Sequence, residues 1–340
     1  MTDHYERARP HQWALDELPS LTGKIALVTG ANSPDSIGWH IAYNLALKGA
    51  KVYVGARSTE KAQSAIQAMV ALSPDALPAG TLRPFVADLG NFRQVKEAAK
   101  EFISMENRLD ILVNNAGILP RKLEFDSYGI NISFSTNHLG PFLLTTTLLP
   151  LIIKTSSVNP DVRIVNVAST AALDAPESVA YTSVDEINAD FGSEDEPLAN
   201  YTRYGMTKLA NVLFTSELQR RLSSIPITSS DPAAATILAM SLHPGGVATT
   251  GAIEYQGGPD SFVKGDSVTP FEGAITPLFA AAHPEPRENE KTFRGKFLLP
   301  WGGVKEVEKW NGDEAEKKAR ELWALSEKIL EDIFSDTDRQ

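Results

Sequence analysis

The sequence predicts an α/β fold with one doubly wound parallel sheet and helices on both faces. Between residues 24 and 167, five short apolar runs alternate with longer stretches of helical periodicity. Strands that are apolar throughout are typical of a parallel sheet covered on both sides, and right-handed connections between them give the doubly wound order. No linker with a shift in composition divides the chain, so we expect a single domain.

Local patterns justify each element of the first half in order. Gly49 suits the residue that follows a helix end, and Ser58 suits a helix N-cap. Apolar and β-branched runs predict strands at residues 24–29, 51–55, 82–87, 110–113 and 162–167. Helical periodicity predicts helices at residues 37–48, after Ser58, at residues 91–104 and at residues 132–154.

The second half departs from this alternation. Residues 173–200 contain eight acidic residues and no Lys or Arg, so we interpret them as an inserted surface segment. The later elements are predicted as a helix at 201–222, a strand at 237–242, a loop-rich insertion at 250–267, a helix, a short strand near Phe297 and a terminal helix at 313–333. We assign residues 1–20 to an N-terminal extension and residues 21–340 to the domain.

Composition and charge exclude several classes of protein. With 340 residues, 42% of them hydrophobic, the chain can bury a large core, which excludes a disordered protein. The net charge of −11 makes nucleic acids and anionic membranes poor partners. The absence of cysteine excludes disulfides, and the histidines lack the spacing of a metal site. With no signal peptide and no apolar stretch long enough to span a membrane, we expect a cytoplasmic protein.

The turn after the first strand has the composition of a phosphate-binding turn. It reads TGANSPDSIG from Thr29 to Gly38. Small residues there let backbone N–H groups and the positive end of the next helix face a pyrophosphate. The spacing from Gly30 to Gly38 is not that of the G-x-G-x-x-G fingerprint, so an ordinary glycine-rich turn explains the segment equally well.

Polar residues follow the next three strands. At the end of the second strand, where an NAD-selective enzyme would carry an acidic residue, the chain has Ala56 followed by Arg57. Arg57 could pair with the 2′-phosphate of NADP; a solvated arginine is the alternative. Asp88 could accept a hydrogen bond from an adenine amino group. The segment NNAG, residues 114–117, ends the fourth strand. Ligands in open α/β sheets bind at the carboxyl ends of strands, so we expect these residues to share one crevice.

The chemistry is predicted to centre on Tyr204 and Lys208, which share a helix face at i and i+4, although an exposed pair has the same spacing. A cation fixed beside a phenol lowers the pKa of the phenol, which favours proton transfer near neutral pH. Ser169 ends the fifth strand and could reach the same crevice or cap a helix. Asn137 interrupts an apolar helix and could be a functional or a core amide. After the sixth strand, HPGGVAT at residues 243–249 can present backbone groups to a flat ring.

Six motifs resemble, in their order along the chain, those of the short-chain dehydrogenase/reductase family: TGANSPDSIG, NNAG, the Asn137 helix, NVAS ending at Ser169, YGMTK and HPGGVAT. The resemblance covers residues 21–250 and is greatest to retinol-dehydrogenase-like and carbonyl-reductase-like members. The C-terminal part is similar to fungal members. A Rossmann-like fold is implied, with Asn137, Ser169, Tyr204 and Lys208 as the catalytic residues.

The resemblance also implies a role for each residue. Tyr204 would be the general acid in ketone reduction or the base in alcohol oxidation, and Ser169 would hold the substrate oxygen. Lys208 would bind the nicotinamide ribose and relay protons with Asn137 through water. The cofactor NADP (NADPH/NADP+) would be bound by Gly30, Ser36, Ile37, Gly38, Arg57, Asp88, Leu89, Asn115, Ala116, Gly117, Tyr204, Lys208, Pro244, Gly245, Val247 and Thr249.

Two departures from the family pattern bear on function. The first turn is two residues longer, and Ser36 replaces a glycine, so a side chain is expected where backbone approaches the pyrophosphate, with the charge of Asp35 nearby. The separation of 35 residues between Ser169 and Tyr204 exceeds that of the simplest members. An insertion of this kind can cover a helix face used for dimerisation, so both a monomer and a homodimer stay open.

These observations lead to two hypotheses. The first is a cytoplasmic NADP-dependent oxidoreductase that transfers a hydride between the nicotinamide and a carbonyl or secondary alcohol of a small to medium organic substrate. The second keeps the fold without redox turnover, as a ligand-binding protein or a scaffold for a biosynthetic cyclisation, because the phosphate-binding turn is altered. The intact set of Asn137, Ser169, Tyr204 and Lys208 favours the first hypothesis.

Overall fold

A computed structural model describes residues 13–192, 197–224, 237–258, 267–307 and 310–337. The strands are Ile25–Val28 (β1), Lys51–Ala56 (β2), Leu82–Val86 (β3), Ile111–Asn114 (β4), Arg163–Val167 (β5), Leu238–Leu242 (β6), Phe297–Leu299 (β7) and Gly303–Lys305 (β8). They form one sheet in the order β3-β2-β1-β4-β5-β6-β7-β8, in which β8 alone is antiparallel to its neighbour. The predicted doubly wound α/β fold is confirmed.

Helices cover both faces of the sheet. They are Ile37–Leu47 (α1), Thr59–Leu72 (α2), Phe92–Met105 (α3), Ile132–Phe134 (α4), Gly140–Ser156 (α5), Val184–Ile187 (α6), Pro197–Ser223 (α7), Thr250–Tyr255 (α8), Pro270–Ala282 (α9), Glu285–Glu288 (α10), Glu290–Phe293 (α11) and Asp313–Thr337 (α12). The 3₁₀ turns are Leu15–Glu17, Thr170–Asp174 and Pro300–Gly302. Side chains of α1, α2 and α9 pack on one face of the sheet, and those of α3, α5, α7 and α12 pack on the other.

The predicted long helix at residues 132–154 contains a π-helical turn, Ser135–Leu139, between α4 and α5. The N–H of Gly140 donates to the carbonyl of Ser135, five residues earlier. Pro141 falls in the first turn of α5, directly after the π-helical turn, so the helix passes through this proline without ending. In the part of the chain that the structure describes, Ile132–Ser156 is the one helical segment long and apolar enough to cross a membrane, and 61% of its apolar window is buried inside the molecule, as in a core helix.

The acidic segment at residues 173–200 is not simply a surface insertion, and this correction concerns its apolar residues. Ala175, Val179, Tyr181 and Ile187 are buried in the core beside α7. Tyr181 is fully buried and donates a hydrogen bond to the carbonyl of Met206 at 2.7 Å. The number of acidic residues reflected only the side of the segment that faces solvent. The interpretation as an inserted surface segment was therefore wrong for these four residues.

Part of the predicted N-terminal extension packs against the domain. Trp13 and Leu18 are 4% and 3% exposed, and both lie in the apolar layer of α1 and α9. The boundary at residue 20 stays a prediction. Residues 1–12 of that extension, and residues 193–196 and 259–266 of the two predicted insertions, lie outside the described residues.

Candidate active site

The carboxyl ends of β1, β2, β4 and β5 open into one cleft of about 1120 Å³. Most residues that the sequence assigned to cofactor or catalysis line it, namely Gly30, Ser36, Ile37, Arg57, Asp88, Leu89, Asn115, Ala116, Gly117, Tyr204, Lys208, Pro244 and Thr249. The other five do not line its wall and are Gly38, Asn137, Ser169, Gly245 and Val247. The expected convergence at one edge of the sheet is therefore present for most of these residues, and the other five lie outside the cleft wall.

The lengthened turn between β1 and α1 places Ser36 at the N-cap of α1. Its hydroxyl donates to the carbonyl of Ser33 at 2.7 Å and accepts from the N–H of Trp39 at 3.3 Å. The ring of His40 contacts the carbonyl of Pro34 at 2.9 Å, and Pro34 and Asp35 are exposed. The Ser36 hydroxyl is thus bonded within the helix end, while Ser36 also lines the cleft, so the expected obstruction of the pyrophosphate path stays a prediction. The carboxylate of Asp35 still lines the cleft.

Gly38 has a packing role in this turn. A Cβ atom there would lie 2.5 Å from the carbonyl oxygen of Gly30 and 2.5 Å from Nδ2 of Asn115. Gly30 itself has φ of +66°, a conformation that glycine adopts without strain. Asn115 Nδ2 donates to the carbonyl of Thr29 at 2.9 Å, and Thr29 Oγ1 accepts from the N–H groups of Asn115 and Ala116, both at 3.0 Å. These contacts hold the ends of β1 and β4 together and leave the N-terminus of α1 facing the cleft.

Two basic residues mark the end of the cleft beside β2. Arg57 follows β2, and Lys61 lies one turn further on α2; both line the cleft and are exposed. Among the residues that the structure describes, neither forms an ion pair. Asp88 also lines this end, but its Oδ1 accepts from the N–H of Gly90 at 3.0 Å, so only part of its carboxylate faces a ligand.

Tyr204 and Lys208 lie on α7 at the opposite end of the cleft. The buried Lys208 Nζ donates to the carbonyl of Val167, the last residue of β5, at 3.1 Å. The same Nζ is 5.4 Å from the centroid of the Tyr204 ring. Ser169 lies close enough to hydrogen-bond the phenol, and this contact acts to lower the pKa of Tyr204. The end of β5 and the helix face of α7 thus bring together a hydroxyl, a phenol and an ammonium group.

The protonation of this group differs from the sequence expectation. Burial raises the pKa of Tyr204, and the nearby phenols of Tyr201 and Tyr255 act in the same direction. Burial lowers the pKa of Lys208 to about 8. The expected acidic phenol is therefore corrected: burial outweighs its surroundings, and Tyr204 holds its proton at neutral pH. His243 lies behind the ammonium, and burial, followed by the charge of Lys208, lowers its pKa to about 4.

Asn137 lies in the π-helical turn and is buried. Its Oδ1 accepts from the N–H of Ile118 at 2.7 Å, and its Nδ2 donates to the carbonyl of Ile118 and to Thr207 Oγ1, both at 3.0 Å. Both amide protons are thereby used within the protein. The side chain of Asn137 thus links the wall of the cleft to α7, and its part in a proton relay stays a prediction.

The loop after β6 supports the same end of the cleft. Gly245 has φ of +100°, and Val247 pairs with Val268 in a parallel bridge. The side chain of Val247 packs on α9, since a Cβ atom at Gly273 would lie 2.6 Å from it. The predicted contact of Val247 with a cofactor therefore rests on its backbone alone. Thr249 caps α8 by accepting from the N–H of Ala252 at 3.2 Å.

Several cleft residues were missed by the sequence reasoning, namely Thr29, Lys61, Leu119, Arg121 and Glu254. Lys61 could have been found, since it stands four residues after Arg57 at the start of a helix. Thr29 could also have been found, since it begins the TGANSPDSIG motif. The other three have no spacing or pattern that separates them from ordinary loop residues.

Comparison with known proteins agrees with this geometry. Residues 24–184 match the family described as short chain dehydrogenase. A short-chain dehydrogenase/reductase of Armillaria gallica is 38% identical, with 93% of this chain and 95% of the relative covered, which confirms the similarity to fungal members.

Two solved structures are similar over most of the chain. A protein from Mycobacterium paratuberculosis is 29% identical with a TM-score of 0.65, covering 94% of this chain and 97% of its own. A 3-ketoacyl-(acyl-carrier-protein) reductase from Brucella melitensis, complexed with NADH, is 25% identical with a TM-score of 0.58, covering 82% and 97%. Motifs, fold and relatives agree, and the chain belongs to the short-chain dehydrogenase/reductase family.

Proposed function

We propose that this protein is a cytoplasmic, NADP(H)-dependent oxidoreductase that transfers a hydride between the nicotinamide and a carbonyl group or secondary alcohol of a small to medium organic molecule. One observation supports the proposal above all. A single cleft has Tyr204 and Lys208 at one end, with Ser169 hydrogen-bonded to Tyr204 outside the cleft wall, and the exposed bases Arg57 and Lys61 at the other end. This is the arrangement that a dinucleotide with a 2′-phosphate and a reacting carbonyl would need.

The protonation states favour reduction. The nicotinamide, when bound, supplies or accepts the hydride. Tyr204 keeps its proton because burial raises its pKa, so it can donate that proton to the substrate oxygen. Ser169 would donate a hydrogen bond to the same oxygen as negative charge develops on it. Lys208, fixed by Val167, would stabilise the phenolate that remains.

The preference for NADP rests on charge at the end of β2. Arg57 and Lys61 are two cations in the cleft, and Ala56 stands where an acidic residue would reject a phosphate. The relative complexed with NADH gives no support to this preference, which depends on the residues of this chain alone. Asp35, in the turn before α1, lines the same cleft, and its charge opposes the binding of phosphate.

The substrate end of the cleft favours an uncharged molecule. The phenols of Tyr201 and Tyr255 lie close enough to Tyr204 to raise its pKa, and the hydroxyl of Tyr201 donates to Asp174 Oδ2 at 3.3 Å. Glu254 lines the cleft. Apart from Arg57, Lys61 and Lys208, the one basic residue that lines the cleft among the described residues is Arg121, which is paired with Glu124. Apart from Lys208, which the proposed chemistry uses, no unpaired cation lines this end among the described residues, so the carboxylate of Glu254 disfavours anionic substrates.

A screen of carbonyl compounds tests the redox proposal. We expect NADPH consumption with neutral cyclic ketones, aldehydes or quinones, and much slower turnover of anionic ketones such as acetoacetyl-CoA. Tyr204→Phe should lower kcat by about 10²–10⁴-fold, the usual contribution of a positioned general acid. Its affinity for NADPH, measured by fluorescence titration, should be unchanged. Loss of binding together with turnover would show that the tyrosine is structural.

Removal of the basic residues tests the choice of cofactor. Arg57→Ala should weaken NADPH binding by roughly 10- to 100-fold, because charge-assisted hydrogen bonds contribute about 1.5–3 kcal/mol. NADH binding should change little, and Lys61→Ala should show a smaller effect in the same direction. Arg83→Ala, an exposed arginine of β3 outside the cleft wall, is the control. Equal weakening of NADH and NADPH by Arg57→Ala would contradict the preference for NADP.

The non-redox alternative rested on the altered phosphate-binding turn. The Ser36 hydroxyl caps α1, which answers part of that objection, but Ser36 and the charged Asp35 both line the cleft. The same fluorescence titrations separate the two hypotheses. An absence of saturable binding of both NADPH and NADH would overturn the redox proposal and favour a ligand-binding protein or a cyclisation scaffold.

A further inference from the structure

A buried histidine stands next to Asn137 and is not used by the proposed chemistry. His138 belongs to the same π-helical turn and is fully buried. Its Nε2 lies 2.8 Å from Oγ of Ser326, a fully buried residue of α12 that is 188 positions away in sequence. The terminal helix therefore contacts the turn that carries Asn137 through a specific polar pair.

The chemistry of this pair fixes its protonation. The Ser326 hydroxyl donates to the carbonyl of Leu322 at 2.7 Å, so it accepts from His138, whose proton must be on Nε2. Burial lowers the pKa of His138 to about 3, so the ring is neutral. The rings of Phe134, Phe142 and Phe214 surround it. His138 therefore acts as a neutral hydrogen-bond donor at neutral pH.

Besides its contact with α12 through His138, the π-helical turn contacts the wall of the candidate active site through Asn137. The Asn137 amide binds both backbone groups of Ile118 and the hydroxyl of Thr207. Thr207 in turn donates to the carbonyl of Tyr204 at 2.8 Å. Gly117, the residue before Ile118, packs so close to Lys208 that a Cβ atom there would lie 3.4 Å from its Nζ. A shift of the turn would therefore move the cleft wall relative to both Tyr204 and Lys208.

Attachment of α12 does not by itself require a polar pair. Leu322, Trp323, Leu325 and Ile329 of α12 are buried against the core, and the Trp323 ring packs on Phe142 at 4.9 Å. A buried hydrogen bond adds little net stability compared with apolar contacts, but it restricts the partners to one relative position. The pair is thus suited to set the register of α12 on the π-helical turn.

We propose that His138 is a positioning residue. Through its hydrogen bond to His138, Ser326 of α12 holds the π-helical turn in the position that lets Asn137 bind Ile118 and Thr207. The terminal helix is then part of the architecture of the active site. The structural part of the proposal stands on the contacts alone. Its consequence for turnover rests on the proposed oxidoreductase function.

Removal of the Ser326 hydroxyl, with the full chain and no added ligand, tests the structural part. In Ser326→Ala, backbone hydrogen exchange at Ile118, whose N–H is held by Asn137, should become about tenfold faster, the effect of losing one hydrogen bond. Ser326→Thr keeps the hydroxyl and should restore slow exchange. Ser335→Ala, which removes an exposed hydroxyl from the same helix, should leave exchange at Ile118 unchanged.

Turnover provides the second measurement. Ser326→Ala should lower kcat by roughly 10- to 100-fold, as expected when catalytic groups are misplaced, with an unchanged KM for the cofactor. His138→Gln, whose amide can donate in place of Nε2, should retain more activity than His138→Leu. If His138→Leu fails to fold, the Ser326 variants decide the question.

Three results would overturn the proposal: unchanged exchange at Ile118 in Ser326→Ala, equal acceleration in Ser326→Thr, or an equal increase at all amides that reports global destabilisation. A wild-type protein without cofactor binding or turnover would refute the oxidoreductase function instead. The exchange comparison would still be valid in that case, so the two failures are distinguishable.

Discussion

Lys208 combines a position in the candidate active site with a cost in folding stability. Its ammonium is buried beneath the cleft, and the hydrogen bond to Val167 only partly replaces the water that it loses. The i to i+4 spacing from Tyr204 predicted that the two groups share a helix face, and they do. The spacing could not predict the pKa values, because those depend on burial by β5, β6 and the loops around them.

The free-energy cost of burying the Lys208 ammonium can be measured with Lys208→Met. Folding lowers the pKa of Lys208 from 10.5 to about 8, so the unfolded chain binds more protons between these pH values. The wild type therefore gains stability as the pH rises from about 8 to 10.5. At pH 7 the buried charge costs roughly 3 kcal/mol, at about 1.4 kcal/mol per pKa unit.

We expect Lys208→Met to raise the free energy of unfolding at pH 7 by about 2 kcal/mol, after the loss of about 1 kcal/mol from the Val167 hydrogen bond. The advantage should shrink as the pH approaches 10, and the variant should be inactive. Urea unfolding at several pH values measures this, with Lys208→Arg as the control that retains a charge. A variant less stable than the wild type at pH 7 would contradict the argument.

At the scale of elements, regular strands and helices were predictable, and the segments that deviate from regularity were not. The runs at β1, β2 and β5 and the helix patterns at α1, α3 and α7 each have a local signal in the sequence. The π-helical turn has none, because it depends on hydrogen bonds from Asn137 to Ile118 and Thr207, which are distant in sequence. The acidic segment at residues 173–200 was misinterpreted for the opposite reason. Its strongest signal in the sequence is its charge, which describes only the side of the segment that faces solvent.

The turn before α1 allows a test at this scale. Ser36→Ala removes the N-cap of α1 and should lower the free energy of unfolding by about 1 kcal/mol. It should also weaken NADPH binding several-fold, because the N-terminus of α1 faces the cleft. Ser36→Thr keeps the cap, and Ser183→Ala removes the cap of α6 outside the cleft wall. Equal NADPH affinity in Ser36→Ala and the wild type would show that this helix end does not contact the cofactor.

At the scale of the whole molecule, the two edges of the sheet have different tasks. The carboxyl edge carries the cleft, whereas the amino edge carries a buried network that ties elements together. Arg163, at the start of β5, donates to the carbonyls of Ala280 and His283 at the end of α9. The sequence predicted the first edge through its motifs. The second depends on contacts across more than 100 positions, for which no local pattern exists.

Trp13 lies at the amino edge of the sheet, so a substitution there tests folding stability separately from function. Its ring packs against Phe279 at 6.0 Å and His283 at 5.3 Å between centroids, and it is 4% exposed. Trp13→Ala should lower the free energy of unfolding by about 3–5 kcal/mol, as for other buried large aromatic residues, while Trp13→Phe should lose much less.

Cofactor affinity decides whether the two edges act independently. We expect Trp13→Ala, assayed well below its melting temperature, to bind NADPH as the wild type does, because the cleft lies at the opposite edge and shares no residue with this contact. A large loss of NADPH affinity would show that α9 transmits strain to the Val247 loop that it supports. An unchanged melting temperature would show instead that residues 13–20 contribute no stability, and that the domain begins after them.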